Sequence, residues 1–215
     1  VVIELSKKYV LYNHYLSVIN RIFKYAVLMD VINSNPFDKV IKPKSRQTQR
    51  KGNFLTKEEL KGFLKLAQNT TLSYFFPLVH LMAYTGLRQG EALALKWSDI
   101  DFKNKTISIN RTLVSINGRL SVQSPKTKRS TRTISLDDST VQILKDWKLE
   151  QKKTFFKNGI KSRNIVITNT VGGYFDFGNF REDLKTFISK HKLKQFSVHS
   201  LRHTHASLLF EVGIE

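Results

Sequence analysis

Apolar residues recur at three- and four-residue steps from Tyr9 through Tyr12, Leu16, Ile19, Ile22, Phe23, Ala26 and Val27, which predicts a helix over residues 6–32. Asn33-Ser34-Asn35-Pro36 ends that pattern, since the residue before a proline disfavours helix. A second helical region opens at Phe54-Leu55-Thr56-Lys57-Glu58-Glu59-Leu60. Thr56 as N-cap with Glu59 three residues on is a capping box, and Phe54 or Leu55 supplies a hydrophobic staple. Helices are predicted through about Leu66, over 74–84 and over 89–95. The period then changes. Thr106–Asn110 and Thr131–Leu136 alternate apolar with polar, and Asn117-Gly118 between them is a hairpin turn, so a small antiparallel sheet is expected. Helix returns over 139–155, a short strand is expected over 164–168, and helices follow over 178–191 and 199–211. The pattern is a mainly α fold with a small antiparallel β-sheet (α+β).

Composition adds a partner class. Lys and Arg number 36 against 17 Asp and Glu, a formal charge of +19, and such an excess usually serves a polyanion. Hydrophobic content of 40% is enough for a real core. No apolar run reaches the roughly 18–20 residues of a membrane span, and no signal-peptide pattern opens the sequence. Zero cysteines remove disulfides and thiolate metal sites, in keeping with a cytoplasmic protein. The expected partner is double-stranded DNA, with no membrane.

The basic residues are not evenly spread. Residues 42–53 carry Lys42, Lys44, Arg46, Arg50 and Lys51 with no acid, which reads as an inter-domain linker able to follow a phosphate backbone. It divides a helical piece, 1–41, from a larger domain, 54–215. Between Asp101 and Asp137 there is no acidic residue, and Lys126, Lys128, Arg129 and Arg132 cluster near the end of the stretch. An anion-free hairpin is a suitable DNA-contacting element.

Two short segments carry candidate chemistry. Thr85-Gly86-Leu87-Arg88-Gln89-Gly90-Glu91 places an arginine where a helix breaks and restarts; His199-Ser200-Leu201-Arg202-His203-Thr204 places a histidine and an arginine three apart on one helix face. Guanidinium forks match pairs of phosphate oxygens, and a histidine can move a proton near neutral pH. Alone, Arg88 would be read as a surface residue paired with Glu91. His199, His203 and His205 raise the question of zinc, but no carboxylate or cysteine lies close in sequence to complete a ligand set, so neither a metal nor another cofactor is expected.

Together these segments resemble the tyrosine recombinase (phage integrase) family, whose signatures are T-G-x-R-x-x-E and H-x-L-R-H. Ser124-Pro125-Lys126-Thr127 with Ser130, Arg132, Ile134 and Leu136 is similar to that family's P-K-T-x-x-S-x-R-x-I-x-L hairpin. Asn35-Pro36-Phe37-Asp38-Lys39-Val40 and the basic linker resemble phage and genomic-island members from Gram-positive bacteria. The resemblance implies an integrase-like catalytic domain over 54–215, preceded by the end of a helical core-binding domain. It implies catalytic roles for Arg88, Lys126, His199 and Arg202, with Glu91 and His203 in support and Lys126 as proton donor to the leaving 5′ oxygen. The implied reaction is phosphodiester transesterification through a 3′-phosphotyrosyl intermediate, giving integration or excision of a mobile element. The protein is expected to be a monomer alone and a tetramer on recombination sites.

Thirteen residues follow Arg202, and none is tyrosine. The family's nucleophile and a further histidine or tryptophan are therefore expected beyond Glu215, and residues 1–215 alone are expected to be inactive in cleavage. His80, Trp97 and Trp147 do not fit that further position and are expected in the core or at a DNA-facing surface. Rival readings are a type IB topoisomerase-like enzyme, a non-catalytic DNA-binding module derived from an integrase, and a metal-dependent nuclease. The last would need clustered carboxylates, for which only Asp99 with Asp101 and Asp137 with Asp138 offer themselves.

Overall fold

The computed structural model describes residues 2–9, 11–41, 43, 54–124, 131–211 and 213. The chain divides into two compact units, Val1–Lys51 and Gly52–Glu215.

In the first unit, the helix expected over 6–32 is two helices, α1 (Val2–Lys8) and α2 (Tyr12–Leu28). Periodicity could not mark the break, because Val2 and Leu5 of α1 pack on the same small cluster as Tyr12, Leu16 and Phe37. The helix also ends at Leu28, short of the expected residue 32. Asp30 takes a left-handed conformation (φ 53°), and the Val31 and Asp30 amides close back on the carbonyls of Ala26 and Val27. This is a Schellman termination with aspartate in the place usually held by glycine. A 3-10 turn, Pro36–Lys39, follows, capped by the Asn35 side chain.

The second unit is mainly helical: α3 (Lys57–Ala67), α4 (Phe75–Thr85), α5 (Gln89–Ala94), α6 (Asp138–Lys157), α7 (Phe177–Lys190) and α8 (Val198–Glu211). The Thr56–Glu59 capping box starts α3 as expected. Almost every residue of α4 is buried. Around it, Phe63 of α3 meets Phe75, Phe187 and Phe196 edge to face, which ties α3, α4, α7 and the approach to α8 into one aromatic core.

Among the described residues the strands form two sheets rather than one. Strands β1 (Ile100–Asp101), β2 (Thr106–Ile109) and β5 (Arg132–Ser135) form an antiparallel sheet in the order β1-β2-β5, while β3 (Thr112–Ile116) and β4 (Arg119–Gln123) pair only with each other. The hairpin turns at Asn117-Gly118, both at positive φ. It leans on α5: a Cβ on Gly90 would lie 2.6 Å from the Leu113 carbonyl and from Thr112 Oγ1. Glycine is what lets helix and strand meet so closely.

The strand expected over 164–168 is not one. Ile165, Val166 and Ile167 are buried, but they make only isolated bridges, Lys96 with Ile165 and Thr168 with Tyr174. Backbone bonds link the segment to residues 95–97, Val166 N–H to the Leu95 carbonyl and Trp97 N–H to the Asn164 carbonyl, each at 2.9 Å. Side chains supply the rest: Trp147 Nε1 donates to the Val166 carbonyl at 2.8 Å, and Gln151 Nε2 to Val166 at 3.0 Å and Ile165 at 3.3 Å. A buried backbone carbonyl needs some donor, and an indole and an amide suffice. Trp97 donates in turn to Gln151 Oε1, so both tryptophans are core residues.

Candidate active site

The site begins with the way α4 stops. Gly86 adopts φ 61°, ψ 23°, a left-handed C-cap that most residues reach only with strain. Leu87 is then buried, and Arg88 is extended (φ −69°, ψ 150°) before α5 starts at Gln89. The turn thus presents the Arg88 side chain, 56% exposed, at its rim.

Glu91, one turn into α5, is 6% exposed and forms the hub below. Its carboxylate accepts the Arg88 backbone amide at 2.9 Å and Arg88 Nη1 at 2.9 Å. Arg132 reaches across from β5 and donates from Nη1 at 3.1 Å and Nη2 at 2.9 Å, a two-pronged pair. Burial pushes the Glu91 carboxyl up, but the bonds from Arg132 and Arg88 outweigh it and hold the group below its ordinary value.

The second arginine arrives from α8. Arg202 Nη1 donates to the Gly86 carbonyl, so one turn fixes both arginines. Burial lowers the Arg202 pKa, and Arg88 and Arg132 lower it further against the opposing charge of Glu91. His199 lies at the exposed start of α8. Burial first, then the charges of His203, Arg202 and Arg88, push its pKa below the ordinary histidine value. Its ring meets His203 edge to face at 4.5 Å. An imidazole depressed in this way is neutral at physiological pH and can accept a proton.

Arg88, His199 and Arg202, the first and the last 114 positions apart in numbering (202 minus 88), therefore share one electrostatic neighbourhood, with Glu91 and Arg132 beneath. Three guanidinium groups against one carboxylate leave an excess of two positive charges. Lys126, Lys128 and Arg129 lie outside the described residues, as do Lys42, Lys44, Arg46, Arg50 and Lys51. Arg132, expected at a DNA surface, is half-buried against Glu91. The periodicity of β5 gave no hint of this, because a strand carries no i to i+3 partner to look for.

Other candidates have structural partners. Asp99 takes Arg111 at 2.6 Å and the Lys96 amide, Asp101 caps the turn through Lys103 and Asn104, and Asp137 caps α6. His80 is buried in α4 with Nε2 3.0 Å from Thr140 Oγ1. A second contact missed from sequence, besides that of Arg132, is His205, one turn past Arg202, whose Nδ1 lies 3.1 Å from the Ala83 carbonyl.

Residues 53–215 match the model of the phage integrase family. The chain is 31% identical over 203 residues to the ICEBs1 integrase of Bacillus subtilis, covering 94% of this chain and 54% of that protein. It is 31% identical over 211 residues to a XerC-like tyrosine recombinase of Caldanaerobacter subterraneus, covering 89% and 53%. The chain thus spans about half the length of these relatives. Its fold matches the Tn1549 transposon integrase solved with a circular intermediate DNA, with a TM-score of 0.80 and 20% identity over 100% of this chain and 72% of that one.

Proposed function

Because this chain belongs to the phage integrase family, we propose that it is the phosphate-activating part of a site-specific recombinase that integrates or excises a mobile DNA element. The observation that carries this reading is the pair of arginines on one turn, Arg202 bonded to Gly86 and Arg88 two residues beyond, with a depressed histidine beside them. A phosphodiester carries one negative charge and its pentacoordinate transition state about two, so a local excess of two positive charges favours the transition state over the ground state.

In this reading Arg88 and Arg202 hold the non-bridging oxygens of the scissile phosphate. His199, neutral before attack, takes a hydrogen bond or proton from the attacking group. Glu91 holds Arg88 from behind, His203 packs on His199, and Lys126 protonates the leaving 5′ oxygen. The attacking group is a tyrosine beyond residue 215, and the products are a 3′-phosphotyrosyl bond and a free 5′ hydroxyl. Reversal with another strand's 5′ hydroxyl exchanges the strands and conserves bond energy. Lys42, Lys44, Arg46, Arg50, Lys51, Lys128 and Arg129 contact duplex phosphates, and four protomers assemble on a recombination site in the cytoplasm.

The test is a nicked suicide duplex given to the full-length recombinase. Arg88→Ala and Arg202→Ala are each expected to lower single-turnover cleavage by about 10²–10³-fold, as for other charge-stabilising donors. Duplex affinity should change only a few-fold, since many cations share the backbone. Wild-type cleavage surviving either substitution would refute the assignment.

A further inference from the structure

The α4–α5 turn is gripped by α8 at two points, and only one involves the family's signature arginine. Arg202 Nη1 binds the Gly86 carbonyl. One helical turn on, His205 Nδ1 lies 3.1 Å from the Ala83 carbonyl, in the last turn of α4. A carbonyl only accepts, so Nδ1 carries the proton and donates. The same imidazole forms the wall against which Gly86 sits: a Cβ there would lie 2.6 Å from His205 Cδ2 and 3.2 Å from Cγ. Gly86 is therefore constrained twice, by its left-handed φ of 61° and by the ring.

These contacts form a closed mechanical loop. Arg202 and His205 are three apart and share one face of α8. Their two acceptors, Gly86 and Ala83, are three apart across the end of α4. Arg88 leaves the same turn two residues after Gly86. A displacement of the turn along α8 moves the anchor of Arg202 and the origin of Arg88 together.

We propose that His205 is a positioning residue that locks the α4–α5 turn against α8 and so fixes the spacing of Arg88 and Arg202. This rests on the reading of those arginines as a phosphate clamp. It assigns His205 no contact with substrate; its effect reaches the chemistry through the turn. Sub-ångström spacing matters to a clamp of this kind, because misplacing a catalytic group by about 1 Å costs on the order of 10²-fold in rate.

The experiment has two arms. In the first, arginine side-chain ¹⁵N–¹H resonances of residues 1–215 are recorded, with Arg202 assigned through Arg202→Lys. The wild type should give a resolved Arg202 guanidinium set, held by Gly86. His205→Ala should merge it with the solvent-exposed arginines, while Arg181 is unchanged. His205→Asn, whose amide nitrogen replaces Nδ1, should restore it, and His205→Gln, whose donor lies one bond further out, should not. This Asn-over-Gln order is expected to hold even if the alanine variant does not fold. In the second arm, the full-length recombinase carrying His205→Ala should cleave about 10- to 100-fold more slowly at nearly unchanged duplex affinity, with His205→Asn within a few-fold of wild type. An Arg202 set unmoved in His205→Ala, or Gln matching Asn, would overturn the proposal. A wild-type enzyme that binds duplex but never cleaves would instead sink the recombinase reading, and the resonances would still decide the role of His205.

Discussion

At the scale of single residues, the charged groups of this chain are arranged so that buried titratable groups sit where acid would unsettle them. His80 is 5% exposed, and burial lowers its pKa to about 4 despite the opposing charge of Asp137. The Thr140 hydroxyl donates to Asp137 at 2.6 Å, so it accepts from His80 Nε2–H, and it is burial that keeps the ring neutral near pH 7. The unfolded chain protonates this ring near pH 6.5 and the folded one only near 4. Stability from a neutral His80 is therefore present above 6.5 and is lost as the pH falls through that window, on the order of 3 kcal/mol in all. Urea midpoints measured from pH 7 to 4 should fall steeply in the wild type. They should fall less in His80→Gln, which keeps the donor without the titration. Glu91 adds to this lower down. Its carboxyl is held below 4.5, so its contribution is present above 4.5 and fades as the pH falls toward the lowered value. Glu91→Gln leaves Arg88, Arg132 and Arg202 together without an anion, and should cost about 1–3 kcal/mol. Duplex affinity should hold or rise in that variant while cleavage by the full-length enzyme falls, a split that titration and single-turnover kinetics would separate.

At the scale of elements, two glycines decide how α5 is held. Gly86→Ala would meet both a left-handed backbone and the His205 ring, and Gly90→Ala would press on the Leu113 carbonyl. Overpacking of this kind costs roughly 1–3 kcal/mol, so each should lower the melting temperature measurably. Gly118→Ala has positive φ but open space around it and should cost less. Such differences explain what was readable in advance. The Thr56–Glu59 box, the break at Gly86 and the Asn117-Gly118 turn were legible because each depends on residues close in sequence. The split of α1 from α2 was not, since both helices bury the same face. Nor was the irregular course of Ile165–Ile167, whose backbone is satisfied partly by Leu95 and partly by the Trp147 and Gln151 side chains from α6. Arg88, His199 and Arg202 were legible as motifs. Arg132 on Glu91 and His205 on Ala83 were not, because their partners lie 41 and 122 positions away.

At the scale of the molecule, a formal charge of +19 predicts that duplex binding is governed by phosphate contacts. With roughly six to ten contacts, affinity should fall about 10³–10⁵-fold between 50 and 200 mM salt; a flat titration would contradict a DNA role. A polypeptide of residues 1–215 should bind such a duplex and yet form no covalent adduct on a denaturing gel, since Tyr174, the last tyrosine in it, precedes Arg202. A slow-migrating band would name another nucleophile.

The bond from Arg202 to Gly86 joins positions 116 residues apart. At a synthesis rate of about 5–20 residues per second, the Gly86 turn leaves the ribosome roughly 6–23 seconds before Arg202 does. Glu91 and Arg132 emerge in between, so Arg88 acquires its carboxylate neighbour before Arg202 exists. A nascent chain therefore carries Arg88 already paired with Glu91 well before the Gly86 carbonyl gains its Arg202 partner. A chain released before position 202 would keep the Arg88–Glu91–Arg132 cluster and leave the Gly86 carbonyl without its α8 donor.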